Sequence, residues 1–177
     1  MWLETDRLII RSIQQGDEVV FSDMAQDGSL GQVGFDANCS DWIGDWLVEA
    51  KELTNNDNPR VNYIPCTVIL KENEEVIGSI GSTYYDDMDK VGIVYFLGTS
   101  FRQKGYITEA INAYVSFFFN HYREQEIIAT ILDANFPSWK AVEKAGFKLL
   151  EKKMYKDIDD EKEELYRFYV IRSREVK

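Results

Sequence analysis

Two short stretches of this chain carry side chains whose types and spacing could do chemistry. In the first, Arg102-Gln103-Lys104-Gly105-Tyr106-Ile107, two cations and a glycine follow an apolar run ending at Leu97. Behind them, Ile107, Ile111, Tyr114, Val115, Phe118 and Tyr122 are spaced by four, three, one, three and four, which marks one face of a helix. A helix start offers unpaired N–H groups and a partial positive charge, and a glycine lets the backbone come close to a ligand. The junction from Leu97 to Thr108 can therefore cradle a phosphate. Taken locally, the same residues also suit a plain turn with two solvated cations. In the second stretch, Asn135-Phe136-Pro137-Ser138 opens a helix that Lys144-Ala145-Gly146-Phe147 closes: Asn135 can cap it, Pro137 is tolerated in its first turn, and Gly146 suits a left-handed end.

The elements that must position these stretches follow from hydrophobic pattern. Leu8-Ile9-Ile10 reads as a short strand, and Gly16-Asp17 opens a helix carrying Val19, Val20, Phe21 and Met24. A glycine-rich loop from Asp27 to Asn38 precedes a second helix from about Ser40 to Leu53, which stops at Asn55-Asn56-Asp57-Asn58-Pro59. Strands over Val61 to Leu70, Val76 to Tyr85 and Gly92 to Leu97 form a meander, and the phosphate-type loop and its long helix come next. Ile127 to Leu132 is apolar on both faces, as in a fully covered strand. After the Asn135 helix, strands at about Phe147 to Tyr155 and Leu165 to Arg172 flank an acidic loop, Asp157 to Glu164. The order β-α-α-β-β-β-α-β-α-β-β predicts a mixed α/β fold, with a mostly antiparallel central sheet flanked by helices, in a single domain over residues 1–177.

Composition narrows the partners. With 31 acidic and 20 basic residues the formal net charge is −11, which repels phosphate backbones and favours a cationic partner over nucleic acid, although solubility alone explains the same excess. The N-terminus lacks a signal-peptide pattern, apolar clusters are too short and too charged to span a membrane, and two cysteines make no disulfide scaffold, so a cytoplasmic setting is expected. Cys39, Cys66 and the single histidine, His121, form no metal-ligand spacing and no nucleophile-base pair, so no metal is expected.

Taken together, these stretches resemble the GNAT superfamily of N-acetyltransferases. That family's phosphate loop is Gln/Arg-x-x-Gly-x-Gly/Ala; Arg102 and Gly105 match it, whereas Ile107 stands where a small residue is usual. The opening Glu4-Thr5-Asp6-Arg7-Leu8-Ile9-Ile10-Arg11, together with Gly105-Tyr106-Ile107-Thr108-Glu109-Ala110 and Asn135-x-x-Ser138 followed by Glu143-Lys144-x-Gly146-Phe147, is similar to the ribosomal-protein-alanine N-acetyltransferase branch. The resemblance implies acetyl-CoA as co-substrate, with its pyrophosphate on Arg102, Gln103, Lys104, Gly105, Tyr106, Ile107 and Thr108. It implies that the third meander strand and the Ile127 strand run parallel and splay apart. Pantetheine would lie in that gap on exposed backbone near Phe96 and Leu97, where an N–H stabilises the oxyanion. Asn135 would reach the cofactor arm or serve only as a cap, and Ser138 would donate a proton to the CoA thiolate or simply bond within its own turn.

Two family features are missing. Val142 occupies the position of a frequent tyrosine acid, and Gly92 lies near that of a glutamate base, for which Asp86, Asp87 or a backbone-held water could substitute. Deprotonating a lysine-like amine at pH 7 costs roughly 4.6 kcal/mol, against about 1 to 1.4 for an α-amine. A site without a conspicuous base therefore suits direct attack by a protein N-terminal α-amine in a ternary complex. A small cationic amine, such as a polyamine or aminoglycoside, is the alternative acceptor; a non-catalytic CoA-binding protein is a further possibility, and the protein would be a monomer or homodimer.

Overall fold

A computed structural model describes residues 1–157 and 160–176. Residues 158 and 159 of the expected acidic loop, and residue 177, lie outside the described residues. In chain order the elements are β1 (Trp2–Glu4), β2 (Leu8–Ser12), α1 (Asp17–Ala25), α2 (Ile43–Asn56), β3 (Tyr63–Leu70), β4 (Val76–Tyr85), β5 (Lys90–Leu97), α3 (Tyr106–His121), β6 (Glu126–Leu132), α4 (Phe136–Lys144), β7 (Lys148–Tyr155) and β8 (Glu164–Arg172), with short 3-10 turns between them. The mixed α/β architecture expected from the sequence is the one observed. Among the described residues one eight-stranded sheet has the order β1-β2-β3-β4-β5-β6-β8-β7, and only β5 and β6 pair in parallel. Among the described residues no helix is long and apolar enough to cross a membrane.

Several elements differ from expectation, three of them for a plain local reason. β1 is an extra strand: three residues are too few to show a period, and it exists through pairing with β2. α2 starts at Ile43 because Cys39–Asp41 closes a separate 3-10 turn, and it continues to Asn56 until Asp57 turns left-handed. β3 begins at Tyr63 because Asn62 also has a left-handed backbone, with φ 57°.

Strand alternation sends side chains to both faces of the sheet. Ile80, Ile93, Leu97, Ile127 and Ala129 pack with Ile111, Tyr114 and Phe118 of α3 and Val142 of α4. On the other face Phe96 joins Phe21 of α1, Phe35, and Leu47 of α2. Each of β5 and β6 is held along its length by its other neighbour, β5 by β4 in eight register pairs and β6 by β8 in seven. Between β5 and β6 there is a single pair, Gly92 with Ile128, and beyond it the strands part. This is the splay that the resemblance implied.

A buried ion pair anchors α1, from which the loop over the site departs. Asp17, 4% exposed, accepts from Arg11 Nη1 and Nη2 (2.7 and 2.8 Å), from Gln14 N–H (2.8 Å) and from Thr67 Oγ1 (2.6 Å). Burial pushes its carboxyl pKa up, but the Arg11, Thr67 and Gln14 bonds outweigh that and hold it below the ordinary value. Asp17→Ala should cost about 3–5 kcal/mol in urea unfolding, because Arg11 is left buried without its partner. Since the folded pKa is depressed, this contribution should be present above about pH 4 and fade as pH falls through the folded value. Equal stability of variant and wild type at pH 7 would show that the pair does not anchor α1.

Candidate active site

One wall of the gap is open backbone. On the β4 side, Gly98 N–H donates to Ile77 O (3.0 Å), and Phe96 O lies so close to Gly78 that a Cβ there would come within 2.1 Å of it. Antiparallel ladders alternate the direction of their polar groups, so Phe96 turns its N–H and C=O to β4 while Tyr95 and Leu97 turn theirs to the gap. The expected pair of open positions, Phe96 and Leu97, is therefore corrected to Tyr95 and Leu97. Phe96 contributes its ring, seated 5.2 Å from Phe21 and 5.5 Å from Phe35.

The loop after β5 delivers the chain to the start of α3. Thr99–Phe101 forms a 3-10 turn, Arg102 is extended, and Gln103 and Gly105 are left-handed, with φ 63° and 82°. No side chain caps α3, and its first backbone bond runs from Glu109 N–H to Gly105 O (3.2 Å), so the N–H groups of Tyr106, Ile107 and Thr108 face outward without a helical acceptor. Ile107 does not obstruct them: its side chain is half-buried against the α3 core. Lys104 is exposed, with Nζ 5.7 Å from the Phe101 ring. Arg102 is already engaged, donating from Nε to Leu97 O (3.0 Å) and from Nη2 to Ser29 Oγ (2.9 Å).

Glu109, an acidic residue in the first turn of α3, ties this junction to the N-terminal strands. Its carboxylate accepts from Thr5 Oγ1 (2.6 Å), Arg7 N–H (3.0 Å) and Arg7 Nε (2.7 Å), while Arg7 Nη1 reaches Lys104 O (3.0 Å) and its guanidinium lies 4.6 Å from the centre of the Tyr106 ring. Burial raises the Glu109 pKa, but these bonds and the Arg7 charge outweigh it and hold the carboxyl below its usual value. Beside them, Gly105, Thr108, Asn112 and Lys144 line an open groove, and Lys144 is a cation that the sequence reading did not connect to the loop.

Across the gap, Asn135 caps α4 by accepting from Ser138 N–H (3.3 Å), and its Nδ2 donates to Gln32 Oε1 (2.9 Å). Gln32 belongs to the loop between α1 and α2, whose Asp27 accepts from Thr99 Oγ1 (2.6 Å) and whose Ser29 meets Arg102. Hydrogen bonds from Ser29 and Thr99 hold the Asp27 pKa down at about 2. This loop thus leans on both walls. The Ser138 hydroxyl does not bond within its own turn; it lies 2.8 Å from Tyr95 Oη, which is also 3.0 Å from Ser138 O. Tyr95 was missed because nothing in a strand-like run marks a residue that meets a helix 43 positions later.

The missing base and acid have structural reasons. A Cβ at Gly92 would come 2.5 Å from the Tyr85 ring, whose hydroxyl is bonded to Thr130 Oγ1 (2.6 Å), so a side chain there would have to displace that ring. Val142 is fully buried in the core. Asp86 and Asp87 are exposed on the β4–β5 turn, beyond the Gly92–Ile128 pair and at the opposite end of β5 from the loop. Cys39 and Cys66 are both free and buried, and burial pushes the Cys66 thiol up to about 12, which disfavours its thiolate. His121 pairs with Asp57 (2.6 Å) at the C-terminal end of α3, away from the loop.

A family profile described as an acetyltransferase (GNAT) domain matches residues 7–148. YjdG of Bacillus subtilis strain 168, described as an uncharacterized N-acetyltransferase, is 27% identical over 160 residues, which cover 85% of this chain and 91% of that protein. An acetyltransferase of the GNAT family from Bacillus anthracis superposes with a TM-score of 0.81 at 19% identity, covering 99% of this chain and 100% of that one. RimL, a ribosomal L7/L12 alpha-N-protein acetyltransferase solved in complex with coenzyme A, gives 0.81 at 10% identity over 97% and 98% of the two chains. The structures share the fold, and the profile spans most of the sequence: this chain belongs to the GNAT acetyltransferase family and is an acyl-CoA-dependent N-acetyltransferase.

Proposed function

We propose that this protein moves an acetyl group from acetyl-CoA to a protein N-terminal α-amine, by direct attack with both substrates bound. One observation carries the donor half: the uncapped start of α3, behind left-handed Gly105, opens beside a gap walled by the edge of β5, where Tyr95 and the Leu97 N–H face no partner strand and Leu97 O is held by Arg102 Nε. Outward N–H groups of Tyr106, Ile107 and Thr108 suit a pyrophosphate, with Gln103 and Lys104 at its edge and Arg102 holding the loop in shape. The open edge of β5 suits the amides of pantetheine, which would lie along it as a strand does, with Asn135 on the facing wall. The thioester supplies the electrophilic carbonyl; a Tyr95 or Leu97 N–H is suited to stabilise the oxyanion, and Ser138 to meet the departing sulfur. Residues 1–177 would act as one catalytic domain, in a cytoplasm that keeps Cys39 and Cys66 reduced.

The acceptor half rests on what is absent. With the Tyr85 ring filling the space at Gly92, no carboxylate stands where a base would extract a proton from a lysine-like amine. An α-amine, partly neutral at pH 7, does not need one. RimL is described as an alpha-N-protein acetyltransferase of ribosomal L7/L12, and the motifs from Glu4 to Phe147 resemble the ribosomal-protein-alanine N-acetyltransferase branch. The net charge of −11 favours a second reading, a small polycationic acceptor.

Thiol release from acetyl-CoA, followed with peptides bearing free N-termini and with polyamines and aminoglycosides, separates the two. Peptide-dependent release is expected, and release with none of these amines would contradict both. With peptides, kcat/KM should rise with pH along the acceptor's own ionisation near pH 8; an inflection well below that would reveal an enzyme base. Gly105→Glu places a carboxylate and a left-handed strain at the cradle, so acetyl-CoA affinity by calorimetry should fall by more than about a hundredfold. A folded variant with wild-type affinity would remove the pyrophosphate from this loop.

A further inference from the structure

Tyr95 and Ser138 form a contact that the expected chemistry leaves unused. Tyr95 Oη lies 2.8 Å from Ser138 Oγ and 3.0 Å from Ser138 O, and it reaches both from the strand whose edge is open to the gap. A phenol carries one hydrogen and cannot donate to both. If it donates to the carbonyl, Ser138 must donate to Tyr95, and both hydroxyl hydrogens are spent inside the pair. If it donates to Ser138 Oγ, the serine hydrogen is released to point elsewhere. The two arrangements differ only by rotation of two hydroxyls, and the second polarises both in one direction, which strengthens the outer bond.

We propose that Tyr95 is a positioning residue for Ser138: as negative charge grows on the sulfur, the pair rotates into the second arrangement, and Tyr95 backs a hydrogen bond from Ser138 to that sulfur. The inference rests on the proposed placement of the acetyl-CoA thioester in the β5–β6 gap. The bond is stronger to the leaving thiolate than to the thioester, so it favours the transition state over bound substrate. No covalent bond to either hydroxyl hydrogen breaks. Burial keeps Tyr95 a neutral phenol, able to donate throughout the working range. A tyrosine on the strand thereby serves the α4 side where Val142, fully buried, offers no polar group.

The test uses the CoA complex, so it does not depend on any acceptor. Ultraviolet absorbance of the thiolate reports the ionisation of bound CoA as pH is raised, in wild type, Tyr95→Phe, Ser138→Ala and the double variant. The thiol should be about tenfold less acidic in each single variant than in wild type, and no less acidic in the double variant than in either single one, while calorimetric CoA affinity at pH 7 stays within about threefold. Wild-type acidity in Tyr95→Phe, or effects of the two substitutions that add, would overturn the inference. If CoA fails to bind wild-type protein, both the proposed function and this inference fall. If CoA binds and the acidity pattern appears but no amine receives acetyl, only the acceptor reading is lost.

Discussion

One constraint organises this molecule: two parallel strands that share a sheet touch at one residue pair. Pairing β5 to β4 and β6 to β8 along their lengths satisfies each strand on its outer side, so parting at the centre exposes backbone groups on a limited stretch. Unpaired backbone is costly when buried and useful when it faces a ligand with amides of its own. Gly92 belongs to this constraint as well, since the Tyr85 ring fills the space of a side chain at the very pair where the strands still meet.

The surrounding contacts keep that open stretch in shape. Glu109 gathers Thr5 and Arg7 and, through Arg7, the carbonyl of Lys104, so the start of α3 is tied to the β1–β2 connection rather than left to the loop's own preferences. Arg102 performs a related task from the other side by joining Leu97 O to Ser29. Arg7 and Arg102 therefore work in positioning, which leaves the outward N–H groups of α3, with exposed Lys104 beside them, to face an anion. The Gln32–Asn135 bond extends the α1–α2 loop to the far wall, so loop, strand end and α4 start form one connected frame.

How much of this was legible in the sequence depended on the range of the interaction. The α3 face, the order of the meander strands and the left-handed Gly146 are local patterns that follow from period or residue type, and Gly105 lies at the turn that its residue type suggested. Thr5 and Arg7 with Glu109 could be quoted as parts of a family motif, but their meeting across 104 residues, from Thr5 to Glu109, has no local trace. Tyr95 reads as an ordinary strand residue, and the strand alternation that opens Tyr95 and Leu97, not Phe96, depends on the register with β4. Ser138 illustrates both limits: its place in the first turn of α4 follows from Asn135 and Pro137, whereas the partner of its hydroxyl comes from the opposite wall.

The most direct measurement is a crystal structure of the protein with coenzyme A. The account predicts pyrophosphate oxygens within hydrogen-bonding distance of the N–H groups of Tyr106, Ile107 and Thr108, pantetheine bonded to the Tyr95 and Leu97 backbone, and the sulfur beside Ser138. Coenzyme A bound elsewhere, with the space between β5 and β6 left to solvent, would contradict it.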